Sequence, residues 1–149
     1  MKITLIIVAL SLVLPPVGLA GGTIKPENQH VTFNITAKPS ELKVGVQGRL
    51  LISLKPKQGF HIVIIPPMQI TFDSLCGIQL IDKPDIPQTT NKEYVDTSKP
   101  ITQKFALATT LKPGAATIKG ILTYFYCSDA EGWCSKFKQP IELTIKVLK

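Results

Sequence analysis

An antiparallel β-sandwich is the fold class this chain predicts, on three observations. Apolar and polar residues alternate with a period of two in one run after another. No stretch sustains the 3.6-residue apolar period of an amphipathic helix. Twelve prolines and ten glycines fall mostly between the apolar runs, where turns belong. Seven or eight short strands in about 130 residues, parted by turn signals, assign the all-β sandwich to the immunoglobulin-like class.

The first strand is "VTFNITA", with Val31, Phe33 and Ile35 turned inward and Thr32, Asn34 and Thr36 outward. Asn34-Ile35-Thr36 also fits the N-glycosylation pattern, which is short and common, and it is read here as the polar face of the strand. "RLLISL", "FHIVII", "MQITF" and "IQLI" follow, separated by "KPKQG", "PP" and "DSLCG". Residues 82–100, "DKPDIPQTTNKEYVDTSKP", are the longest irregular piece, and a loop of that length in a small domain is usually functional or mobile. "ITQKFALAT", "ATIKGILTYFYC" and "IELTIKVL" complete the set.

Ahead of these strands stand Lys2, an apolar run from Ile3 to Leu14, Pro15-Pro16, and the small residues Gly18 and Ala20. That order predicts a secretory signal peptide over residues 1–20, leaving 21–149 as one domain in the periplasm or otherwise outside the cytoplasm. The run falls short of the roughly 20 apolar residues a spanning helix needs, so no stable membrane span is expected in the mature form. Seventeen basic residues against ten acidic ones give a net charge of +7. The lysines are scattered and Arg49 is the sole arginine, whereas nucleic-acid binders present a basic stripe with bidentate arginines. Nucleic acid is not an expected partner.

Export bears on the three cysteines, because thiols outside the cytoplasm tend to be oxidised. Cys127 and Cys134 are expected to form a disulfide in at least one functional state. Cys76, in "ITFDSLCGIQL", is read as a free, buried cysteine acting as a small hydrophobe. Setting Cys127 opposite Cys134 on antiparallel strands also pairs Lys119 with Glu142, Thr117 with Thr144, Ile118 with Leu143, and Ala116 with Ile145. Opposite charges and threonines then share one face and aliphatic pairs the other, a sorting that a one-residue slip would destroy. In this register the disulfide lies on the outer face of its sheet, beside Phe125, and not between the sheets. The bridge closes eight residues, worth roughly 2.5 kcal/mol in the chain-entropy account. A structural staple and a redox-active pair both remain open, since exposed or strained disulfides are the reducible ones.

Metal binding has little support. Thiolates suit soft ions, but structural zinc sites draw on tight pairs such as C-x-x-C, and the chain has none. No G-x-S-x-G or glycine-rich phosphate loop points to hydrolysis, and no cofactor is expected.

"GILTYFYCSDAEGWC" followed by "QPIELTIKV" resembles the amino-terminal domain of the DsbD family of thiol:disulfide interchange proteins. There a strand ends in a tyrosine and a cysteine, a short Asp-Ala-Gly-aromatic loop follows, and a second cysteine closes it. The upstream "KQGFHIVIIPPMQITF" is similar to that family's Gly-aromatic strand and its successor. The likeness extends loosely from Val31 to Val147 and is specific at the cysteine hairpin, whose loop "SDAEGW" is one residue longer here.

The resemblance implies an immunoglobulin-like domain whose hairpin cysteines pass electrons from a thioredoxin-like donor to oxidised extracytoplasmic proteins, acting as a protein-disulfide reductase component. It casts Cys134 as the sulfur that forms mixed disulfides and Cys127 as the one that resolves them. Phe60 and His61 correspond to aromatics near the pair, and Tyr94, within 82–100, to the aromatic shield of a cap loop. Trp133 either offers a flat contact surface to a partner or closes the hairpin loop. Lys136 and Lys138 favour a thiolate, while Asp129 and Glu131 oppose one. His61 is also a candidate proton acceptor, its alternative being a structural residue of a strand; His30 is given no specific role. The competing function is a non-enzymatic binding or adhesion module in which the bridge is permanent.

Overall fold

Alternation dictates which way each strand faces, and the computed structural model, which describes residues 26–149, follows it closely. The predicted signal peptide and its cut after Ala20 lie outside the described residues. Nine strands form among the described residues: β1 (Val31–Lys38), β2 (Glu41–Lys43), β3 (Gln47–Pro56), β4 (Phe60–Ile62), β5 (Gln69–Phe72), β6 (Ile78–Asp85), β7 (Ile101–Leu107), β8 (Gly114–Ser128) and β9 (Cys134–Leu148). They make two sheets, one ordered β1-β3-β7-β6 and the other β2-β9-β8-β4, with β5 also paired to β8. Pairing is antiparallel throughout except where the short β2 runs parallel to the end of β9. The sandwich of immunoglobulin type is therefore present. β2 goes beyond the sequence reading, and β9 begins seven residues before the predicted strand at Ile141.

On β1 the alternation holds as read: Val31 is buried, Phe33 and Ile35 are half-buried, and Thr32, Asn34 and Thr36 are exposed. The inward residues of both sheets meet in two apolar clusters. One gathers Ile52, Leu54, Ile62, Met68, Leu122, Tyr124, Tyr126 and Ile141. The other is built on Leu42, Leu50, Phe105, Leu107, Ile118, Ile145 and Val147. Apolar burial at about 25 cal/mol per Å² is what holds the two sheets face to face.

Tyr124, fully buried in the first cluster, carries a polar group into it. Its hydroxyl oxygen accepts a hydrogen bond from Asn28 Nδ2 at 3.0 Å. Burial pushes its phenol up to about 12, against the opposing effect of that bond. The folded protein thus keeps the proton while an unfolded chain releases it near pH 10. Stability from this group is complete below about pH 10 and is lost as the pH rises towards about 12. Tyr124→Phe should flatten the fall of the urea midpoint across that alkaline window.

The stretch 82–100 is more ordered than the irregular loop read from sequence. β6 continues to Asp85 across a bulge at Asp82, whose φ is 60°. The buried Gln103 steadies the bulge by donating from Nε2 to the carbonyls of Ile81 (3.0 Å) and Asp82 (3.3 Å). Residues 88–95 then fold back on themselves, with Thr89 N–H donating to Tyr94 O (3.0 Å) and Lys92 N–H to Thr89 O (2.8 Å). The chain here leaves the first sheet and runs beside β4 of the second: Val95 N–H donates to Ile62 O at 2.9 Å and Ile64 N–H to Glu93 O at 3.3 Å. Backbone pairing, which composition does not report, gives this polar segment its order.

Candidate functional site

The β8–β9 ribbon sets the site. Its register runs without a break from Gly114 opposite Val147 to Cys127 opposite Cys134, and includes Lys119 with Glu142, Thr117 with Thr144, Ile118 with Leu143 and Ala116 with Ile145, as read from the sequence. Cys127 and Cys134 are joined by a disulfide, with their Cα atoms 4.0 Å apart. The loop between them turns at Gly132, whose φ of 68° suits glycine, and Gly132 N–H donates to Ser128 O at 3.0 Å. Ser128 N–H donates to Trp133 O at 2.9 Å, closing the hairpin.

Side chains alternate along β8, so Tyr124, Tyr126 and Ser128 point into the sandwich while Phe125 and Cys127 point out. The disulfide thus lies on the outer face of the second sheet. Its two halves are unequally covered. Cys127 is 5% exposed, whereas Cys134, on the edge-side strand, is exposed. Beside the pair on that face, Phe125 sits opposite Lys136, whose Nζ stands 6.0 Å from the ring centroid.

β4 covers the other flank of Cys127. Phe60 pairs with Ser128, His61 with Cys127, and Ile62 with Tyr126. His61 therefore shares the face of the disulfide. Its ring lies 4.1 Å from that of Tyr94, and its Nδ1 is 2.5 Å from Asp129 Oδ1. Tyr94, opposite Val63 in an isolated bridge, is brought to the site through this contact with His61. Asp129 is held in place by its own N–H, which donates to Gly59 O at 2.9 Å.

Phe60 and Trp133, the other two aromatics expected near the pair, occupy the opposite face. With Tyr126 and His30 they make an aromatic cluster that closes the end of the sandwich: Trp133 to Tyr126 is 5.7 Å, Trp133 to Phe60 is 5.9 Å, and His30 stacks on Phe60 at 4.3 Å. Trp133 is half-buried in this packing. Alternation explains it, because Trp133 lies one position from Cys134 and so faces the other way. His30, given no role in the sequence reading, turns out to be a member of this cluster. Trp133 Nε1 also donates to Glu131 Oε2. Both acidic residues of the loop are thus engaged, Asp129 by His61 and Glu131 by Trp133, while Lys136 and Lys138 stay exposed on β9.

Compared with known proteins, the chain matches no protein-family model and no curated protein sequence. Cys76 is free and half-buried, not fully buried as read, in the turn between β5 and β6 where its N–H donates to Asp73 O (3.0 Å). It packs against the second cluster, whereas the hairpin cysteines adjoin the first. The pairing of His61 with Asp129 was not legible in the sequence, since it depends on how β4 registers against β8.

Proposed function

We propose that this domain is a thiol:disulfide interchange module, working outside the cytoplasm through Cys127 and Cys134. The observation that carries the reading is the unequal exposure of the two cysteines. Exchange needs one sulfur that a partner can reach and a second that waits at bonding distance to release it. Cys134 has the exposure required of the first, and Cys127, covered by β4 and joined to Cys134, has the position required of the second. The exposed lysines on β9 favour a thiolate over a neutral thiol at Cys134. The hairpin's resemblance to the DsbD amino-terminal domain points the same way. It suggests a thioredoxin-like dithiol as electron donor and oxidised extracytoplasmic proteins as acceptors.

A permanent staple is the competing reading, and the fold gives it little to do. The ribbon that the bridge closes is already paired at every position from Gly114 to Cys127, and its inward residues lie in both clusters. The bridge spans a short loop within one sheet and ties no distant parts of the chain together.

The test is direct transfer. The reduced domain, mixed with an equimolar oxidised thioredoxin-fold protein carrying a C-x-x-C disulfide, should pass on its electrons and be recovered oxidised, as read by thiol trapping. Retention of both thiols by the domain would contradict the proposal. Cys76→Ser should transfer as well as the wild type, because Cys76 sits on a different turn of the molecule.

A further inference from the structure

The covered sulfur poses a chemical problem that its neighbours answer. Burial disfavours a thiolate, yet Cys127 must become one to release a partner from Cys134. The residue directly opposite Cys127 on β4 is His61, and opposed residues in an antiparallel pair carry their Cβ atoms about 4.5–5.5 Å apart. The imidazole is not left to rotate. Asp129 accepts at Nδ1, Tyr94 packs on the ring, and the side chain is only 23% exposed. A carboxylate at Nδ1 fixes the tautomer with its proton there and leaves Nε2 as the acceptor.

We propose that His61 is the proton acceptor and donor for Cys127 during exchange, with Asp129 as its positioning residue. The proposal rests on the interchange reading. In the forward direction the Cys134 thiolate attacks a partner disulfide. A bond forms between Cys134 and one partner sulfur, the partner's own S–S bond breaks, and its second sulfur leaves as a thiolate. Cys127 then gives its thiol proton to Nε2 of His61. The resulting thiolate attacks the Cys134 sulfur, the Cys127–Cys134 bond forms, and the mixed disulfide breaks. The departing partner sulfur takes the bonding pair and draws the proton from the imidazolium. The partner gains two electrons and the domain loses two. When a donor dithiol later reduces the domain, a donor thiolate attacks the Cys134 sulfur, Cys127 leaves with the bonding pair of the Cys127–Cys134 bond, and His61, reprotonated from solvent, gives that proton to Cys127; the second donor thiolate then displaces Cys134 and closes the donor disulfide.

The elements next to His61 carry these titratable and charged groups: Asp129 just past β8, Tyr94 and Glu93 on the segment beside β4, Cys134 and Lys136 on β9, and Lys57 before β4. Of these, Asp129 meets the imidazole directly, through Nδ1.

The experiment uses oxidised glutathione as the disulfide and the reduced domain in single turnover, with acid quenching and mass spectrometry of the Cys134–glutathione adduct. In the wild type the adduct should form and then resolve. In His61→Gln, adduct formation should proceed at the wild-type rate. Its resolution should slow on the order of a hundredfold at neutral pH, the lower end of general acid–base effects. The rate should recover at alkaline pH, where the Cys127 thiol ionises without help from His61. His61→Phe preserves a ring against Tyr94 and should be equally slow, while Asp129→Asn should be slowed less. Resolution at the wild-type rate in either His61 variant overturns the proposal, and in His61→Phe it would show that the ring serves packing only. A wild-type domain that never forms the adduct overturns the interchange reading itself, a result distinct from equal rates in wild type and variant.

Discussion

Cys127→Ser will accumulate as a mixed disulfide with its partner through Cys134, and Cys134→Ser will form none. On the interchange reading the effect is close to all-or-none, because the two sulfurs differ in exposure. Cys134 is exposed and can be reached in line by a partner, whereas Cys127 is 5% exposed and faces Cys134 on one side and His61 on the other. Without Cys127 nothing displaces the partner, so the intermediate persists until an outside thiol releases it. Without Cys134, the remaining sulfur is covered by β4. A Cys76→Ser background removes the free thiol of the β5–β6 turn from the count. Non-reducing electrophoresis with an oxidised thioredoxin-fold partner reads the outcome directly. Equal trapping by both variants would refute the division of labour. Both should stay folded, since loop closure over eight residues is worth roughly 2.5 kcal/mol and the ribbon remains paired along its length.

Phe105→Ala should lower stability by about 3–5 kcal/mol, the usual cost of emptying a buried phenylalanine site. Phe105 is fully buried at the centre of the second cluster. It sits so close to β3 that a Cβ added at Gly48 would lie 2.8 Å from its ring. The wall of the cavity is therefore backbone, which cannot collapse inward far. Against a total of about 5–15 kcal/mol such a loss is large. Urea denaturation should show a lower midpoint with an unchanged slope. The folded fraction should still exchange thiols, because the hairpin adjoins the other cluster, around Tyr124 and Tyr126. Loss of exchange in the folded variant would mean the two ends of the sandwich are coupled.

The ribbon was legible in sequence because two independent rows of side chains agree on one register. Lys119 with Glu142 and Ile118 with Leu143 fall into place together or not at all. From that register the outward disulfide followed without any structure. Other parts left no such record. β2 is three residues with one apolar member, Leu42, too short for a period to show. The fold-back of residues 88–95 rests on backbone hydrogen bonds among polar residues. "FHIVII" is apolar at nearly every position, so nothing in it says which of Phe60 and His61 faces the sulfurs. The structure puts His61 there and turns Phe60 inward. That same missing register concealed the contact between His61 and Asp129, residues far apart in sequence and joined across β4 and the hairpin loop.

The reduction potential of the hairpin tests the central claim most directly. Trp133, the chain's one tryptophan, is the immediate neighbour of Cys134 and supplies a fluorescence signal for the state of the bond. The purified domain, equilibrated in graded glutathione or dithiothreitol buffers with thiol trapping as the second readout, should show a reversible two-electron transition. An exchange module predicts a midpoint between about −270 and −120 mV, the range of thioredoxin-like partners, with the reduced domain still folded. A midpoint below about −300 mV, or unfolding on reduction, would identify a permanent staple and contradict the account.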